Sequence, residues 1–575
     1  MQMEKDYRNL TQEELLIKIK ELEKEVKKLN NQIIKDDRYG LNWIDCPEAF
    51  EEESENKIPI LEEVKDKAIS NDDGKPTHIL IEGDNYHALT CLNYTHKGKI
   101  DVIYIDPPYN IGNSDFTYKD KNFLMEYPNG KPIKKDDPLR HSSWLSFINK
   151  RLQLAKDLLS DRGVIFISID DNEQANLKLI SDRIFGEKNF ITQFIRKGSG
   201  GRQDSKHYAI IHEYILCYAK NINKYTSNKE KKEKDKFPYF DEEKKLRYKT
   251  QLLRKWGENS RQIDRPNLYY PIISPDGKEY FPMLSDKEKG CWRWGKDTMN
   301  REIMNGRVEF KKQKGKYVAY EKIFDEEGDE QQTKLYSTII EDVSNNTGAT
   351  LLKEIFNDKV FSYPKPVDLI IKVIELANSN SIILDFFAGS GTTMHATMNL
   401  NEKDNGNRQC ILVQQNENNI CEEICYERNK RVMQGYTNSK GEEIEGLGNS
   451  LKYYKTSFVG KNSPKKATDD DRVELSYKAG YLLALSENTL EEIKKTDYYQ
   501  IFENKDNATA IYFKEDLWGF DDFVKEVESI EKPTSVYIFS WDNAQGFEYN
   551  FEEIKQVQIK SIPQAILEIY KSINQ

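Results

Sequence analysis

Short apolar runs alternate with helical stretches along most of the chain. The runs are rich in Ile, Val, Phe and Tyr, end in polar or Gly-Pro residues, and lie at 78–85, 100–109, 163–171, 212–220, 381–391 and 409–417. The intervening pattern predicts helices at 141–160, 172–185, 366–379 and 391–400. Strands that are apolar on both faces and alternate with helices predict an α/β fold with a mostly parallel, doubly wound, Rossmann-like sheet.

A different pattern precedes this region. Residues 9–35 carry apolar side chains at a heptad spacing, with Lys and Glu between them: Leu15, Ile19, Leu22, Val26, Leu29 and Ile33. This a/d seam is typical of a helix that pairs with a second copy of itself. An amphipathic helix packed on its own domain would have the same spacing, so both interpretations stay open.

Breaks in the pattern divide the chain into six segments. The alternating rhythm stops in a Lys- and Tyr-rich stretch, which we interpret as an inserted α+β unit, and a further small domain is expected at the C-terminus. The predicted segments are an N-terminal helix (1–40), a connecting arm (41–77), a first α/β segment (78–220), the insert (221–345), a second α/β segment (346–460) and the C-terminal domain (461–575).

Charge is distributed unevenly between these segments. The chain has a formal net charge of −11, but residues 191–320 contain 30 Lys and Arg against 17 Asp and Glu, a local net charge of +13 that leaves −24 elsewhere. Such asymmetry steers a polyanion to one face, although a merely solvated Lys-rich insert has the same composition. The longest apolar runs, such as 163–169, are far shorter than the roughly 18–20 residues of a membrane span, and the N-terminus has no secretory pattern. We therefore expect a cytoplasmic protein without membrane contact.

Two strand ends carry candidate chemistry. In "LDFFAGSGTT" a strand leads into Gly389 and Gly391 and then a helix, where Thr392 and Thr393 are placed to cap it. The loop has no following Lys and does not complete GxGxxG, so neither a nucleoside triphosphate nor a dinucleotide is expected. A ligand whose polar groups contact backbone amides, without a diphosphate, fits better.

The second strand end reads "DVIYIDPPYN". Asp106 is followed by Pro107, Pro108 and Tyr109, and the prolines make a rigid turn because their φ is fixed. A carboxylate and a carbonyl held in one place orient the two N–H bonds of an exocyclic amine, while the aromatic ring stacks on the base. Methylation of such an amine requires neither a metal nor a cysteine nucleophile.

Together "DPPYN" and "FFAGSGTT" resemble the signature pair of the DNA amino-methyltransferases. Their order, with the catalytic loop first, resembles the circularly permuted β class. Longer stretches, including "GDNYHAL", "DPPYNIGNSDFTY", "YPKPVDLI" and the tail "SIPQAILEIY", resemble the modification (Mod) subunit of type III restriction–modification systems. The resemblance covers most of residues 78–220 and 360–420.

The resemblance implies S-adenosylmethionine as cofactor. It places Lys365 and Pro366 on the methionine side of the cofactor and Asp84, with Asn85 beside it, at the cofactor adenine. The ribose position reads Gln414-Gln415 instead of an acid, so Glu417 becomes the candidate for the ribose diol. The loop that would cradle the methionine part comprises Asp385, Phe387, Ala388, Gly389, Ser390, Gly391, Thr392 and Thr393.

For the substrate, the resemblance implies a flipped adenine in duplex DNA. Asp106 and the Pro107 carbonyl would accept from its N6 amine, and Tyr109 would stack on the base. Arg196, Lys197 and Arg202 would grip flanking phosphates, although a solvated loop is the alternative there. Residues 78–220 would be the catalytic half, 346–460 the cofactor half and 221–345 the target-recognition domain.

The resemblance also implies a homodimer and a separate helicase–nuclease restriction (Res) subunit. No Walker motif is present in this sequence, so any ATP hydrolysis is expected to belong to that partner. Other interpretations keep the same fold. Cytosine N4, RNA or a protein glutamine are alternative substrates, and Asp106 favours adenine over cytosine. A DNA-recognition module with a silent core is the non-catalytic alternative, although the intact loops argue against it.

Overall fold

We analysed a computed structural model of the chain. It describes residues 41–43, 45, 57–111, 137–198, 207–231, 237–285, 287–313, 315–325, 333–341, 343–377, 379–541 and 544–573. The heptad helix and Arg202 lie outside these residues. The chain divides into two compact units, one comprising 1–228 with 337–575 and the other Lys229–Tyr336.

The first half of the larger unit alternates strands with helices. Its elements are β1 (Ile58–Glu63), β2 (Thr77–Glu82), α1 (Asn85–Thr95), β3 (Ile100–Ile105), α2 (Pro138–Leu158), β4 (Leu159–Ile169), α3 (Gln174–Phe185), β5 (Phe190–Lys197) and β6 (His212–Ala219). The predicted helices at 141–160 and 172–185 correspond to α2 and α3. Residues 58–63 were assigned to a connecting arm but form strand β1, four of whose six side chains are buried.

The smaller unit, Lys229–Tyr336, combines short strands with an α-helix and lies within the stretch 221–345 that the sequence sets apart. Its elements are β7 (Glu230–Lys231), β8 (Tyr239–Asp241), β9 (Leu246–Leu252), β10 (Ile272–Ile273), β11 (Glu279–Tyr280), α4 (Lys296–Met304), β12 (Val308–Gln313), β13 (Lys316–Phe324) and β14 (Thr333–Lys334). The order β12-β13-β9-β8 makes an antiparallel sheet. Trp292 is fully buried in the small core of this unit.

The chain then returns to the larger unit. The elements are β15 (Ile339–Ile340), α5 (Asn345–Phe356), α6 (Val367–Ile374), β16 (Ile382–Asp385), α7 (Thr392–Asp404), β17 (Gln409–Gln414), a π-helix (Ile420–Tyr426), α8 (Glu427–Gln434), β18 (Tyr436–Thr437), β19 (Glu443–Ile444) and β20 (Ser450–Val459). The predicted helices at 366–379 and 391–400 correspond to α6 and α7.

Both halves contribute to one sheet with the order β1-β20-β2-β17-β16-β3-β4-β6-β5-β15. Its centre, from β20 to β4, is parallel throughout. The outer pairs β1–β20, β4–β6 and β5–β6 are antiparallel. The predicted α/β fold with a mostly parallel sheet is therefore confirmed. Strands β3 and β16 lie side by side although 276 residues separate the end of β3 at Ile105 from the start of β16 at Ile382.

The C-terminal segment forms a second sheet. Its elements are α9 (Asp469–Lys478), α10 (Gly480–Ser486), β21 (Glu491–Lys495), β22 (Tyr499–Glu503), β23 (Ala508–Tyr512), α11 (Phe520–Glu528), β24 (Thr534–Phe539), β25 (Val557–Ile562) and α12 (Gln564–Ile573). This segment was expected to be a separate small domain. Instead α10 and α12 share one hydrophobic core with α1 and β1, and the Tyr570 hydroxyl donates to the Pro59 carbonyl at 3.1 Å.

Candidate active site

The two loops singled out in the sequence lie at the same edge of the sheet. Strands β3 and β16 are parallel neighbours, so Asp106 and the loop after Asp385 both follow carboxyl ends. A third segment joins them from the end of β2, where Asn85 Nδ2 donates to the Phe386 carbonyl at 3.0 Å. Ligands of doubly wound sheets bind at this edge, where the connections diverge.

The turn from Asp106 to Tyr109 is held at both ends. Trp144, fully buried on α2, donates its indole N–H to the Pro108 carbonyl at 2.7 Å. The Tyr109 hydroxyl donates to Asp106 Oδ1 at 2.8 Å. Pro107 is buried between these contacts. The carboxylate, the turn and the aromatic ring are thus fixed relative to one another before any substrate binds.

Lys365 reaches this turn rather than only the glycine loop. Its ammonium lies 2.7 Å from the Tyr109 hydroxyl oxygen and 3.1 Å from Asp106 Oδ1. The segment approaches closely because Gly348 on α5 has no side chain: a Cβ there would lie 2.4 Å from the Pro364 carbonyl oxygen. Pro366, also buried, precedes helix α6 as its N-cap.

Glu213, at the start of β6, completes this cluster. Its Oε2 lies 3.1 Å from Lys365 Nζ, and its Oε1 accepts from Arg196 Nη1 at 2.5 Å. The Arg196 side chain is 0% exposed, so the expected phosphate contact is wrong for this residue: a guanidinium enclosed beside Glu213 cannot reach a DNA backbone. Lys197, the next residue, is exposed.

Burial and neighbouring charges act against each other in this cluster. Burial and the negative charge of Glu213 raise the pKa of Asp106, while Lys365 opposes them. Burial alone would raise the pKa of Glu213, but Lys365 and Arg196 outweigh it and lower that pKa. Burial likewise disfavours the charged form of Lys365, yet Asp106 and Glu213 raise its pKa. The lysine therefore stays protonated between two carboxyl groups.

The glycine loop is supported by Asp385 at its start. Asp385 accepts from the Phe387 N–H at 3.0 Å and from the Thr393 hydroxyl at 2.5 Å, and burial raises the pKa of its carboxyl group to about 7. Ala388 N–H bonds back to the Val413 carbonyl at 3.3 Å. Gly389, with φ +53°, has no atom closer than 3.6 Å to where a Cβ would be. The loop thus leaves room on the Gly389 side.

Arg428 lies beneath the other end of the loop. This fully buried side chain on α8 donates to the Ser390 carbonyl, the Ser390 hydroxyl and the Thr392 hydroxyl at 3.3, 3.0 and 2.7 Å. Thr392 and Thr393 were expected to cap α7, and this is wrong: the N-cap is Gly391, in left-handed conformation with φ +75°. The two hydroxyls are used for Arg428 and Asp385 instead.

Asp84 and Asn85 follow β2 and are linked through Arg151. Asp84 caps α1 by accepting from the Tyr86 N–H at 2.8 Å, and its Oδ2 lies 3.4 Å from Arg151 Nη2. Arg151 Nε also donates to Asn85 Oδ1. Its guanidinium stacks 3.7 Å from the centroid of Phe147, which packs against Phe387 at 5.9 Å. These contacts place Asp84 and Asn85 beside the glycine loop.

The contacts at the end of β17 explain why Gln414 stands where an acidic residue for the ribose was expected. Gln414 is buried, accepts from the Gly389 N–H at 2.7 Å and donates to the Gln415 carbonyl at 3.0 Å, so this position supports the glycine loop. A carboxylate there could not donate to the Gln415 carbonyl, because it carries no N–H. Glu417 lies three residues further on, half-buried at the start of a 3-10 turn, Glu417–Asn419.

A second buried carboxylate supports the segment that follows the Asp106–Tyr109 turn. Glu173, 1% exposed, accepts from Asn110 Nδ2 at 2.5 Å and from Asn176 Nδ2 at 2.8 Å, and its Oε1 lies 2.6 Å from His141 Nδ1. Asn110 has a positive φ of 55°. This contact holds the residue after Tyr109 in a conformation that few non-glycine residues adopt.

Several of these residues were missed in the sequence. Glu213 had a signal, because it is a charged residue at the start of an otherwise apolar run. Trp144 and Glu173 lie at 140–173, in a stretch that also resembles the modification subunits but was given no role. Arg428 had no local signal, since its partners are 36 and 38 residues away in the chain. Long-range pairing of this kind is not encoded in periodicity.

The site described so far is that of an α/β enzyme with a rigid acidic turn beside a glycine loop. Residues 100–438 match the family model described as DNA methylase. The chain is 33% identical over 396 residues to the type II methyltransferase M.KpnI from Klebsiella pneumoniae, covering 66% of this chain and 90% of that protein. The chain therefore belongs to the DNA methylase family.

Within this family it is similar to type III modification subunits. It is 32% identical over 418 residues to the EcoPI Mod subunit from Escherichia phage P1, covering 66% of this chain and 64% of that protein. The EcoP15I Mod subunit from Escherichia coli is 32% identical over 426 residues, covering 66% and 65%. The chain thus spans slightly less than two thirds of the length of these two relatives.

Solved structures resemble the chain more distantly. PvuII DNA methyltransferase (cytosine-N4-specific) is 9% identical with a TM-score of 0.30, covering 59% of this chain and 83% of that one. The M1.HpyAVI–SAM complex is 14% identical with a TM-score of 0.28, covering 61% and 98%. Among the residues that our structure describes, no helix is both long and apolar enough for a transmembrane segment.

Proposed function

We propose that the chain is a site-specific DNA methyltransferase that transfers a methyl group from S-adenosylmethionine to adenine N6, as the modification subunit of a type III restriction–modification system. One observation carries the proposal. The Asp106–Tyr109 turn and the glycine loop follow adjacent parallel strands, and Lys365 holds the turn through two contacts of 2.7 and 3.1 Å. An amine-orienting turn and a cofactor loop therefore share one edge of the sheet.

The residues around this edge suit S-adenosylmethionine, a cation with an adenine ring and a ribose. The loop from Asp385 to Thr393 would hold its methionine part, with open space at Gly389 and the Phe387 ring as an apolar wall. Asp84 and Asn85 would hold the adenine, and Glu417 the ribose. Lys365 and Pro366 remain proposed neighbours of the methionine part, although the ammonium of Lys365 also binds the catalytic turn. When bound, the cofactor supplies an electrophilic methyl group.

Asp106 would orient the substrate amine. Its Oδ1 is engaged by Tyr109 and Lys365, whereas its Oδ2 has no hydrogen-bond partner within the described ranges, and the side chain is 28% exposed. That oxygen and the Pro107 carbonyl would accept the two amine hydrogens, while the Tyr109 ring stacks on the flipped base. Because burial raises the Asp106 pKa, the carboxylate is also suited to accept the proton that the methylated amine loses.

The target-recognition role falls to residues 221–345, which include the compact unit Lys229–Tyr336. Its sheet carries exposed aromatic side chains next to cations: Lys311 Nζ lies 3.6 Å from the ring centroid of Tyr239, which is 43% exposed. Phe240 and Trp256 are also exposed. Aromatic and basic side chains together suit nucleic acid, and the local net charge supplies sequence-independent affinity. Lys197 and Arg202 remain candidates for phosphate contacts.

The partners are double-stranded DNA, a second copy of the chain through the heptads at 9–35, and a helicase–nuclease Res subunit. Similarity to relatives named as Mod subunits supports these proposals. The cytoplasm is the proposed location. Cytosine N4 stays the alternative target, since it offers the same exocyclic amine to the same turn.

The experiment is to incubate the purified chain with S-adenosylmethionine and unmethylated bacterial DNA, and to map modified bases by single-molecule sequencing. We expect N6-methyladenine at one recurrent sequence, and none with Asp106→Ala. Methylated cytosines at that sequence would replace adenine with cytosine as the target. DNA with no modification above the Asp106→Ala level would contradict the enzyme and favour a silent recognition module.

A further inference from the structure

We propose that Glu213 is a positioning residue for methyl transfer, which acts through Lys365 to hold Asp106 and Tyr109 in their reactive arrangement. The inference rests on the proposed function and deepens it, because Glu213 lies on neither of the two loops that define the site. It starts strand β6, on the far side of β4 from the catalytic strand.

The hydrogen bonds of Lys365 are fully used. An ammonium group has three N–H donors, and Lys365 Nζ has three acceptors: the Tyr109 hydroxyl at 2.7 Å, Asp106 Oδ1 at 3.1 Å and Glu213 Oε2 at 3.1 Å. Its side chain is 14% exposed, so water contributes little to this arrangement. The direction of the ammonium is therefore set by these three groups.

Glu213 is itself fixed by Arg196. Its Oε1 accepts from Arg196 Nη1, while its Oε2 lies 3.1 Å from Lys365 Nζ and 3.5 Å from the Tyr109 hydroxyl oxygen. Arg196 is 0% exposed and also donates to the Val343 carbonyl at 3.4 Å. The contact chain thus runs from a guanidinium on β5, through a carboxylate on β6, to the ammonium that touches the catalytic turn. An anchored carboxylate cannot follow the lysine if the lysine moves.

Sharing the ammonium has a consequence for the reaction. Two carboxylates and two cations make the group neutral, and Glu213 draws Lys365 partly away from Asp106. Without Glu213 the ammonium would pair with Asp106 alone and compete with the substrate amine for that carboxylate. Glu213 thus keeps Asp106 oriented by one oxygen and available at the other.

The same geometry predicts that Glu213 and Lys365 have opposite effects on the pKa of Asp106. Among the residues that the structure describes, the ionisable groups around Asp106 are Tyr109 on its own turn, Tyr104 on β3, Asp385 on β16, and the members of the cluster, Lys365 and Glu213. Arg196 adds a cation one contact further away. Asp106 must be ionised to accept from an amine, so the methylation rate falls as pH falls through its pKa. Removing the Glu213 charge lowers that pKa, and removing the Lys365 charge raises it.

The test measures single-turnover methylation rates against pH for the full chain and for Glu213→Gln and Lys365→Met. Gln keeps an acceptor for Arg196, and Met keeps the length of the lysine stem. Glu402→Gln is the matched control, because Glu402 is 58% exposed and pairs only with Lys75 at 2.8 Å among described residues. Melting temperatures establish that each variant is folded.

We expect Glu213→Gln to slow the plateau rate about tenfold with the KM for DNA unchanged, since misplacement of a reacting group lowers the rate of the chemical step. In the profile of methylation rate against pH, the acid limb of Glu213→Gln should move to lower pH and that of Lys365→Met to higher pH. The profile of Glu402→Gln should match that of the parent chain. Acid limbs that stay in place, or that move in the same direction, would overturn the positioning role while the parent chain still methylates DNA. A parent chain without activity would instead contradict the proposed function.

Discussion

Asp385 ends strand β16 with both carboxylate oxygens engaged, yet burial raises its pKa from 3.8 to about 7. The folded state therefore holds a proton that the unfolded chain releases, and the chain loses stability as pH rises between these values. We expect Asp385→Asn, which does not titrate, to lack this loss. The unfolding free energy of the variant should then rise relative to that of the parent by a few kcal/mol from pH 4 to pH 7, about the energy that corresponds to the pKa shift.

Urea unfolding of the cofactor-free proteins at a series of pH values measures this difference. A difference that stays constant across the series would mean that Asp385 ionises normally in the folded state. Asp404→Asn is a suitable control, because Arg408 lowers the pKa of the Asp404 carboxyl group despite burial. Ionisation of Asp404 therefore makes the unfolding free energy rise with pH, opposite to the effect of Asp385.

Gly389 and Gly391, the two glycines of the glycine loop, differ in what surrounds them. Both have positive φ, but a Cβ at Gly391 would lie 2.3 Å from Asn429 Nδ2 and 3.0 Å from Cys425 Sγ, whereas at Gly389 the nearest atom is 3.6 Å away. We expect both alanine variants to show left-handed strain of about 1–2 kcal/mol. Gly391→Ala should cost a further 1–3 kcal/mol, roughly, from overpacking. Chemical denaturation compares the pair, and equal losses would contradict the close packing at Gly391.

At the residue scale the motifs predicted where the site lies, and the structure contradicts one cationic assignment, the phosphate contact of Arg196. The sequence placed Asp106, Tyr109 and Asp385 at strand ends because apolar runs stop there. It could not assign Lys365 to the Asp106–Tyr109 turn or Arg196 to Glu213, because these contacts join residues 256 and 17 positions apart in the chain. Charge alone suggested a phosphate for Arg196, whereas only burial distinguishes an internal ion pair from a DNA contact.

Helix α8 supports the glycine loop through the side chain of Arg428. Arg428 has no ion-pair partner in the part of the chain that the structure describes, and burial lowers its pKa to about 10. A buried cation without a carboxylate is costly, so its three hydrogen bonds to Ser390 and Thr392 point to a role in shaping the loop. We expect Arg428→Met to weaken S-adenosylmethionine binding about tenfold, since hydrogen bonds from charged donors contribute about 1.5–3 kcal/mol.

Isothermal titration with S-adenosylmethionine measures this effect. Lys430→Met on the same helix is the control. Lys430 is 40% exposed, and its ammonium lies 3.9 Å from the Glu427 carboxylate, a long ion pair at the surface. Equal affinity in the Arg428 and Lys430 variants would show that α8 does not set the conformation of the loop.

The elements that the sequence predicted share long apolar runs. Strands β2, β3, β4, β16 and β17 and helices α2 and α7 lie where the pattern placed them, because burial on both faces leaves an unbroken hydrophobic signature. The edge strands were not predicted. β1 begins as "IPIL" and ends in two glutamates, and β15 has only two residues. Edge strands are short and half-polar, so their sequences resemble loops.

The whole molecule joins two distant halves of the chain in one sheet. The resemblance to the DNA amino-methyltransferases implied this arrangement, because it assigned the two loops of one site to the two halves of the chain. Strands β3 and β16 are parallel neighbours. The sequence also predicted an inserted unit from the interrupted rhythm and the local basic charge. It did not predict that the C-terminal sheet shares the core of the larger unit, since no local pattern reports which surfaces pack together.

The heptads at 9–35 predict the assembly state. We expect the full chain to have a solution mass near twice its 67.4 kDa, and deletion of residues 1–40 to give the monomer. Leu22→Glu, at a seam position, should weaken the dimer, and Lys20→Glu, outside the seam, should not. Light scattering with size-exclusion chromatography measures the solution mass of the full chain, the deletion and both point variants. An unchanged dimer after the deletion would assign dimerisation to another part of the chain.

The central claim is that methyl transfer takes place at the Asp106–Tyr109 turn while the neighbouring glycine loop holds the cofactor. The most direct measurement compares the parent chain with Asp106→Ala for cofactor affinity and for single-turnover transfer of labelled methyl groups to unmethylated DNA. The account predicts that Asp106→Ala binds S-adenosylmethionine within about twofold of the parent chain and transfers methyl groups at least a hundredfold more slowly, on the order expected when a group that orients and deprotonates the substrate is removed. Methyl transfer by Asp106→Ala at the parent rate would contradict it.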